Sequence, residues 1–67
     1  MMSIRLNQES LQLEEGATLA ALIASLDKPP ASLATAVNGQ FVARGQRAHC
    51  VLREGDAVMT FEPITGG

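Results

Sequence analysis

The residues that could carry chemistry in this chain lie at two places. His49 and Cys50 are adjacent and are candidates for a thiol–imidazole pair, and the chain ends in Gly66-Gly67, whose terminal α-carboxylate is a further candidate group. Neighbouring side chains of a strand point to opposite faces of a sheet, so adjacency alone does not bring the thiol and the imidazole together. The sequence therefore favours one buried and one exposed side chain at 49–50, and leaves the carboxylate of Gly67 as the unusual group.

Other catalytic and binding chemistry finds little support. One His and one Cys fall short of a metal-ligand set, and the adjacent carboxylates of Glu14 and Glu15 are typical of a solvated strand end. We therefore expect no metal site, no cofactor bound by this chain and no enzyme activity. The glycines before the terminus are dispersed, as turn glycines are, and do not form a phosphate-binding loop: Gly16, Gly39, Gly45 and Gly55.

A terminal carboxylate is ionised near neutral pH and is an unreactive acyl group until it is activated, for instance as a mixed anhydride with AMP. Activation needs ATP, a metal ion and a pocket, so the chain is expected to be the carrier and another protein the enzyme. Glycine has no Cβ, which makes Gly66-Gly67 slim enough to thread a narrow channel behind Ile64 and Thr65. Pro63 fixes φ at the base of this segment.

Composition bounds the remaining possibilities. The 67 residues are 46% apolar and 18% charged, which is typical of one small globular domain. The net charge is −2 and the basic residues are scattered, which argues against nucleic acid. Arginine side chains are expected at the surface, where Arg44 or Arg47 could pair with an acidic partner. A single cysteine and the lack of a long apolar run predict a cytoplasmic protein that does not enter membranes.

The first half of the chain predicts a hairpin and a helix. Residues 3–7 and 11–14 alternate polar and apolar around a polar turn at 8–10, as two paired strands do. Thr18 is a candidate N-cap, and Pro29-Pro30 prevents a helix from continuing. The apolar side chains between them recur at helical spacing and predict one buried face: Leu19, Leu22, Ile23 and Leu26.

The second half predicts more strands. Residues 33–37 and 40–43 flank Asn38-Gly39, a strong hairpin signal. Residues 44–47 look like a loop, a short strand is expected around Val51-Leu52, a tight turn at 54–56, and a last strand at 57–62. This order predicts an α+β fold of β-grasp (ubiquitin-like) topology, with one helix on one face of a mixed four- to five-stranded sheet. The domain is expected to span residues 1–62 and a flexible tail 63–67.

The last strand also predicts a surface. If Val58 and Thr60 face the helix, Met59 and Phe61 face the other way and form an apolar patch beside the tail. The alternative is that a loop covers this face, so that both are ordinary core residues. The first reading makes Met59 and Phe61 candidates for docking a partner.

The whole chain resembles the ThiS family of sulfur carriers of thiamine (thiazole) biosynthesis. Each motif is weak alone, but their order and spacing, closing on Gly-Gly, are specific. The matching residues are Ile4-Arg5-Leu6-Asn7, the helix from Thr18 to Leu26, Ala36-Val37-Asn38-Gly39, Val42 with Arg44, Gly55-Asp56 and Gly66-Gly67.

The resemblance implies a set of partners. A ThiF-like enzyme, using ATP and Mg²⁺, would adenylate the carboxylate of Gly67. A persulfide on a partner, charged from cysteine by a desulfurase, would displace AMP and leave a thiocarboxylate. A ThiG-like thiazole synthase would then take up the sulfur.

Two alternatives remain open at this point. The proline in the tail is also similar to MoaD, the related carrier for molybdopterin, although MoaD-like chains are usually longer between the first strand and the helix. The other alternative is a non-covalent β-grasp interaction module, for which the Gly-Gly end has no role.

Overall fold

The computed structural model describes residues 1–26 and 32–62. Within them the chain forms one sheet, one α-helix and a 3₁₀ helix of six residues. The strands are β1 (Met2–Leu6), β2 (Glu9–Leu13), β3 (Ala34–Val37), β4 (Gln40–Val42) and β5 (Ala57–Phe61); the helix α1 is Leu19–Ala24 and the 3₁₀ helix is Arg44–His49.

The sheet has five strands in the order β2-β1-β5-β3-β4. The two central strands, β1 and β5, run parallel, whereas β1–β2, β3–β4 and β3–β5 are antiparallel. This is the predicted mixed sheet of the β-grasp fold, with the first and last strands side by side at its centre. The last strand therefore has a neighbour on each side as it runs towards the end of the domain.

One aliphatic core joins the sheet to the helix. Met2 and Ile4 alternate inward along β1, Val58 does so on β5, and the helix contributes its predicted apolar face. Because the strand period is 2 and the helix period 3.6, these spacings bring every member to the same interface. The buried apolar side chains of this core cluster are Met2, Ile4, Leu19, Leu22, Ile23, Leu33, Leu52 and Val58; Ala36, on β3, is also buried.

The helix starts where predicted and ends sooner. Thr18 is the N-cap, and its hydroxyl accepts from the backbone N–H of Ala21 at 3.2 Å. The α-helix ends at Ala24, because both polar groups of Ser25 bond to the carbonyl of Leu22. The hydroxyl of Ser25 donates to this carbonyl at 2.6 Å, and its backbone N–H donates to the same carbonyl at 3.1 Å. A serine hydroxyl that competes for backbone groups favours a helix end. Pro29-Pro30, the predicted stop, lies outside the described residues.

The prediction of a surface loop at residues 44–47 is wrong. The segment belongs to the 3₁₀ helix, and Arg47 is buried, with 3% of its surface exposed. Its Nε donates to the hydroxyl of Thr35 at 3.1 Å and its Nη2 donates to the carbonyl of Leu33. Thr35 is itself fully buried, so the guanidinium provides the hydrogen-bond donors that this polar interior requires. Arg44 is exposed, as expected.

The turns follow the sequence, with small shifts. Asn38 and Gly39 both have positive φ, 52° and 82°, as the predicted two-residue hairpin needs. The turn between β1 and β2 is at Asn7-Gln8, and β2 starts at Glu9, earlier than predicted. The expected strand around Val51-Leu52 is only an isolated bridge between Val51 and Thr18.

Candidate functional site

The candidate site is organised by β5, which leads to the end of the chain. The predicted sulfur-bearing residue Gly67, with Gly66, Thr65 and Ile64, lies outside the described residues, as does the whole predicted tail 63–67. The last described residue is Glu62, directly after β5. Five residues of chain span at most about 17 Å when fully extended. The end of β5 therefore limits where the carboxylate of Gly67 can reach.

The side chains of β5 alternate as predicted. Val58 is fully buried towards the helix, whereas Met59 and Phe61 are 45% and 48% exposed. Among the described residues no loop covers them, so the alternative of ordinary core residues is wrong. Whether they dock a partner remains a prediction.

A third large apolar side chain, which the sequence analysis did not select, extends this surface. Phe41 is 72% exposed and lies opposite Ala36, and Ala36 lies opposite Met59 on its other side. Phe41, Ala36 and Met59 therefore form one row across three neighbouring strands. In the next row towards the end of β5, Ala34 lies opposite Phe61. We call these five residues the open-face patch.

Phe41 could have been found from the sequence through hairpin register. A two-residue turn at Asn38-Gly39 pairs Val37 with Gln40, and so Ala36 with Phe41. Paired residues share a face of the sheet. The missing information was that β3 pairs with β5 on its other edge, which brings this face next to Met59.

Polar residues border the patch. A cleft of about 620 Å³ adjoins Met59 and is also lined by the end of β1, the turn after it and the start of β2, including Arg5, Asn7 and Glu9. An apolar centre with a charged and polar border is typical of surfaces that bind other proteins.

The start of β5 is held by the side chain of Asn38. The N–H of Asn38 donates to the carbonyl of Ala57 at 2.7 Å, and the N–H of Ala57 donates to Asn38 Oδ1 at 3.0 Å. Asn38 Nδ2 also donates to Asp56 Oδ1 at 3.0 Å. The side-chain amide thus supplies the acceptor that the backbone carbonyl would supply in a regular antiparallel pair.

The end of β5 is held by the side chain of Asn7, on the opposite edge. The backbone N–H of Asn7 donates to the carbonyl of Val58 at 2.8 Å, and then the chain turns away with φ 56°. The N–H of Thr60 donates to Asn7 Oδ1 at 3.0 Å, and Asn7 Nδ2 donates to Thr60 Oγ1 at 3.2 Å. Asn7 therefore bonds the backbone N–H and the side-chain hydroxyl of Thr60 on this edge.

The other candidate groups are not brought together into a catalytic set. His49 is exposed at the end of the 3₁₀ helix, and Cys50 is half-buried against the core. The two residues are not in a strand, but the predicted split between an exposed and a more buried side chain holds. Within residues 1–26 and 32–62 no group of three or more His, Cys, Asp and Glu side chains is placed to hold a metal ion. In the same residues, no helix is long and apolar enough to cross a membrane.

Three comparisons place this chain among known proteins. The model of the ThiS family matches residues 3–67. The chain is 36% identical over 66 residues to the sulfur carrier protein ThiS of Escherichia coli strain K12, which covers 98% of this chain and all of the E. coli protein. The crystal structure of the thiamine biosynthesis protein ThiS from Geobacter metallireducens superposes with a TM-score of 0.86, at 20% identity, over 98% of this chain and all of that chain. The family-model match and the E. coli relative show the family of this chain, and the crystal structure shows its fold.

Proposed function

The chain belongs to the ThiS family, and from that premise we propose that it carries sulfur for thiamine biosynthesis as a thiocarboxylate on Gly67. The observation that carries the proposal is the family match, which runs through Gly67 and so includes the Gly-Gly terminus. The fold supports it, because the terminus follows a central strand of the sheet. In this role the protein is a co-substrate of other enzymes and not itself a catalyst.

The first step of the proposal activates the carboxylate. An oxygen of the Gly67 carboxylate attacks the α-phosphorus of ATP, which forms an acyl-adenylate and releases pyrophosphate. A ThiF-like enzyme supplies the ATP site and Mg²⁺, and this chain supplies only the acyl group.

The second step transfers sulfur. The terminal sulfur of a partner's persulfide, charged from cysteine by a desulfurase, attacks the acyl carbon and expels AMP. The product is an acyl disulfide. A thiol then attacks the partner's sulfur of this acyl disulfide and breaks the S–S bond. The thiol and the partner's sulfur form a new disulfide, and the thiocarboxylate leaves. The anionic sulfur is the nucleophile that a ThiG-like thiazole synthase consumes.

The open-face patch has a role in both steps. The cores of protein interfaces favour Met and Phe and exclude charged residues. Met59 and Phe61 belong to the strand that precedes the tail, so a partner seated on them holds the carboxylate within the reach of five residues. Docking then converts the reaction of a free terminus into one between held groups. We infer that the ThiF-like and ThiG-like enzymes bind this same surface in turn.

Membership in the ThiS family favours thiazole formation over the molybdopterin pathway of MoaD-like carriers. Both pathways share the same terminal chemistry. A sulfur-loaded chain should therefore support thiazole formation with a ThiG-like enzyme, and fail to convert the precursor of molybdopterin. The cytoplasmic location expected from the single cysteine is part of the same proposal.

The test is ATP–pyrophosphate exchange catalysed by a ThiF-like enzyme in the presence of this chain. Exchange requires a reversible acyl-adenylate, so it reports the first step alone. We expect exchange with the complete chain and none when Gly67 is deleted or when one Ala is added after it, since either change moves the carboxylate. A non-covalent interaction module would give no exchange with any of the three proteins, and that result would remove the proposal.

A further inference from the structure

The two asparagines that hold β5 have different consequences for the terminus, because they hold opposite ends of the strand. Asn38 is bonded at Ala57, where β5 begins, and Asn7 is bonded at Thr60, next to its last residue. Both have positive φ and both use the side-chain amide in place of a backbone carbonyl. Only Asn7 acts on the part of the strand from which the terminal residues continue.

Register explains why Asn7 is needed. The parallel pairing of β1 with β5 stops at Leu6 and Val58. Asp56 and Val58 accept hydrogen bonds from β1 through their carbonyls, so the next residue facing this edge is Thr60. Because β1 has ended, Thr60 has no strand residue opposite it there, and Asn7 Oδ1 takes the place of the missing carbonyl.

On its other edge, β5 pairs with β3 as far as Phe61, which lies opposite Ala34. Loss of the Asn7 side chain would therefore leave β5 paired with β3, with the patch residue Met59 still opposite Ala36. It would remove the hydrogen bonds of Thr60 on the edge that faces β1. The open-face patch would remain, but Thr60, two residues before the last described residue, would be held from one side only.

We propose that Asn7 is a positioning residue for the carboxylate of Gly67: its side chain holds the edge of β5 that faces β1 at Thr60, and so fixes the point from which the chain continues towards a docked partner. This inference rests on the proposed function. A terminal group that follows a fixed strand end has a higher effective concentration in a partner's active site than one that follows an unfixed strand end. The reason is that fewer residues remain to be ordered on binding.

The experiment compares Asn7→Gly with Asn38→Gly. Glycine adopts positive φ without strain, so each variant keeps its turn and loses the two hydrogen bonds of its side chain. The variants should lose similar stability, and each serves as the other's control. Asn7→Asp is the conservative variant, because Asp tolerates the left-handed region and keeps an acceptor for the N–H of Thr60.

The readout is ATP–pyrophosphate exchange with the carrier as the varied substrate. We expect Asn7→Gly to lower the maximal rate by about tenfold, the factor for ordering roughly one more residue, and to leave the half-saturating carrier concentration almost unchanged. Asn38→Gly should keep the maximal rate, and Asn7→Asp should restore most of it. Equal maximal rates for the two glycine variants would overturn the inference while leaving the proposed function intact.

A second readout needs no partner. Amide hydrogen exchange of Thr60 should become about three- to tenfold faster in Asn7→Gly, relative to Met59, and stay unchanged in Asn38→Gly. If Thr60 keeps its protection in Asn7→Gly, the side chain of Asn7 does not hold the strand and the inference fails. If the unaltered chain supports no exchange of pyrophosphate, the proposed function fails first, and the positioning role with it.

Discussion

Asn7 and Asn38 hold opposite ends of the last strand by the same means. Asn38 Oδ1 accepts from the N–H of Ala57, and Asn7 Oδ1 accepts from the N–H of Thr60, each at 3.0 Å. Both residues lie where a neighbouring strand turns away with positive φ. The sheet thereby extends its hydrogen bonding to β5 beyond the backbone pairing, at the strand that contributes Met59 and Phe61 to the open-face patch.

The docking role of the patch can be tested with Phe61→Ala. Phe61 is about half exposed, so its loss should change the free energy of unfolding little while removing an apolar anchor worth about 1–2 kcal/mol of binding. We expect the half-saturating carrier concentration in ATP–pyrophosphate exchange to rise by about tenfold, with the maximal rate less affected. Met59→Ala should act in the same direction.

The matched control for these variants is Val51→Ala. Val51 is 54% exposed but lies outside the sheet strands, at the bridge to Thr18. Its loss removes a comparable exposed apolar side chain from another part of the surface. Equal effects of Phe61→Ala and Val51→Ala on half-saturation would contradict a docking role for the patch.

Phe41 tests how far the patch extends. It is the most exposed aromatic side chain of the described residues, at 72%, and lies on the edge strand β4. Phe41→Ala should leave stability within about 0.5 kcal/mol and still weaken the partner's binding, because Phe41 shares a row with Met59. Isothermal titration calorimetry against a ThiF-like enzyme measures this. Unchanged affinity would restrict the docking surface to β5.

Arg47 is predicted to be a stability residue. Its replacement by Ala leaves the hydroxyl of Thr35 and the carbonyl of Leu33 without a buried donor, and opens space beside the core. We expect Arg47→Ala to lower the free energy of unfolding by about 2–4 kcal/mol, measured by urea denaturation. Arg44→Ala, at an exposed position, should cost less than about 0.5 kcal/mol. Similar costs for the two variants would contradict the burial of Arg47.

The N-cap offers a smaller effect with a rescue. Thr18 is the side-chain cap of a helix of only six residues, so the cap bond is a large fraction of the helix's hydrogen bonds. Thr18→Ala should destabilise the protein by about 1 kcal/mol, and Thr18→Ser should recover most of that loss because the hydroxyl is kept. Thermal unfolding followed by circular dichroism measures both. A cost for Ser equal to that for Ala would show that the cap hydroxyl is not what matters.

The sequence predicted the sheet well because its signals are local. Alternation identifies β1, β2 and β5, and the apolar spacing from Leu19 to Ile23 identifies the helix, while Asn38-Gly39 pins the β3–β4 register. The same alternation correctly assigned Met59 and Phe61 to the open face.

The misses depend on contacts between distant parts of the chain. Arg47 was expected at the surface because a buried arginine is uncommon. Its hydrogen-bond partners are distant in sequence, since Thr35 lies in β3 and Leu33 directly before it. Phe41 was missed because it reaches Met59 only through the pairing of β3 with β5. Asn7 was noted only as part of a motif, and its bond to Thr60 joins residues 53 positions apart.

Conversion of the Gly67 carboxylate to a thiocarboxylate changes the mass of the chain, so intact-mass spectrometry detects it. The purified chain is incubated with ATP, Mg²⁺, a ThiF-like enzyme, a desulfurase fed with cysteine, and a thiol. We expect a mass gain equal to the replacement of one oxygen atom by sulfur, and no gain when ATP is omitted or Gly67 is deleted. An unchanged mass, from folded protein with partners shown to be active on another carrier, would contradict this expectation.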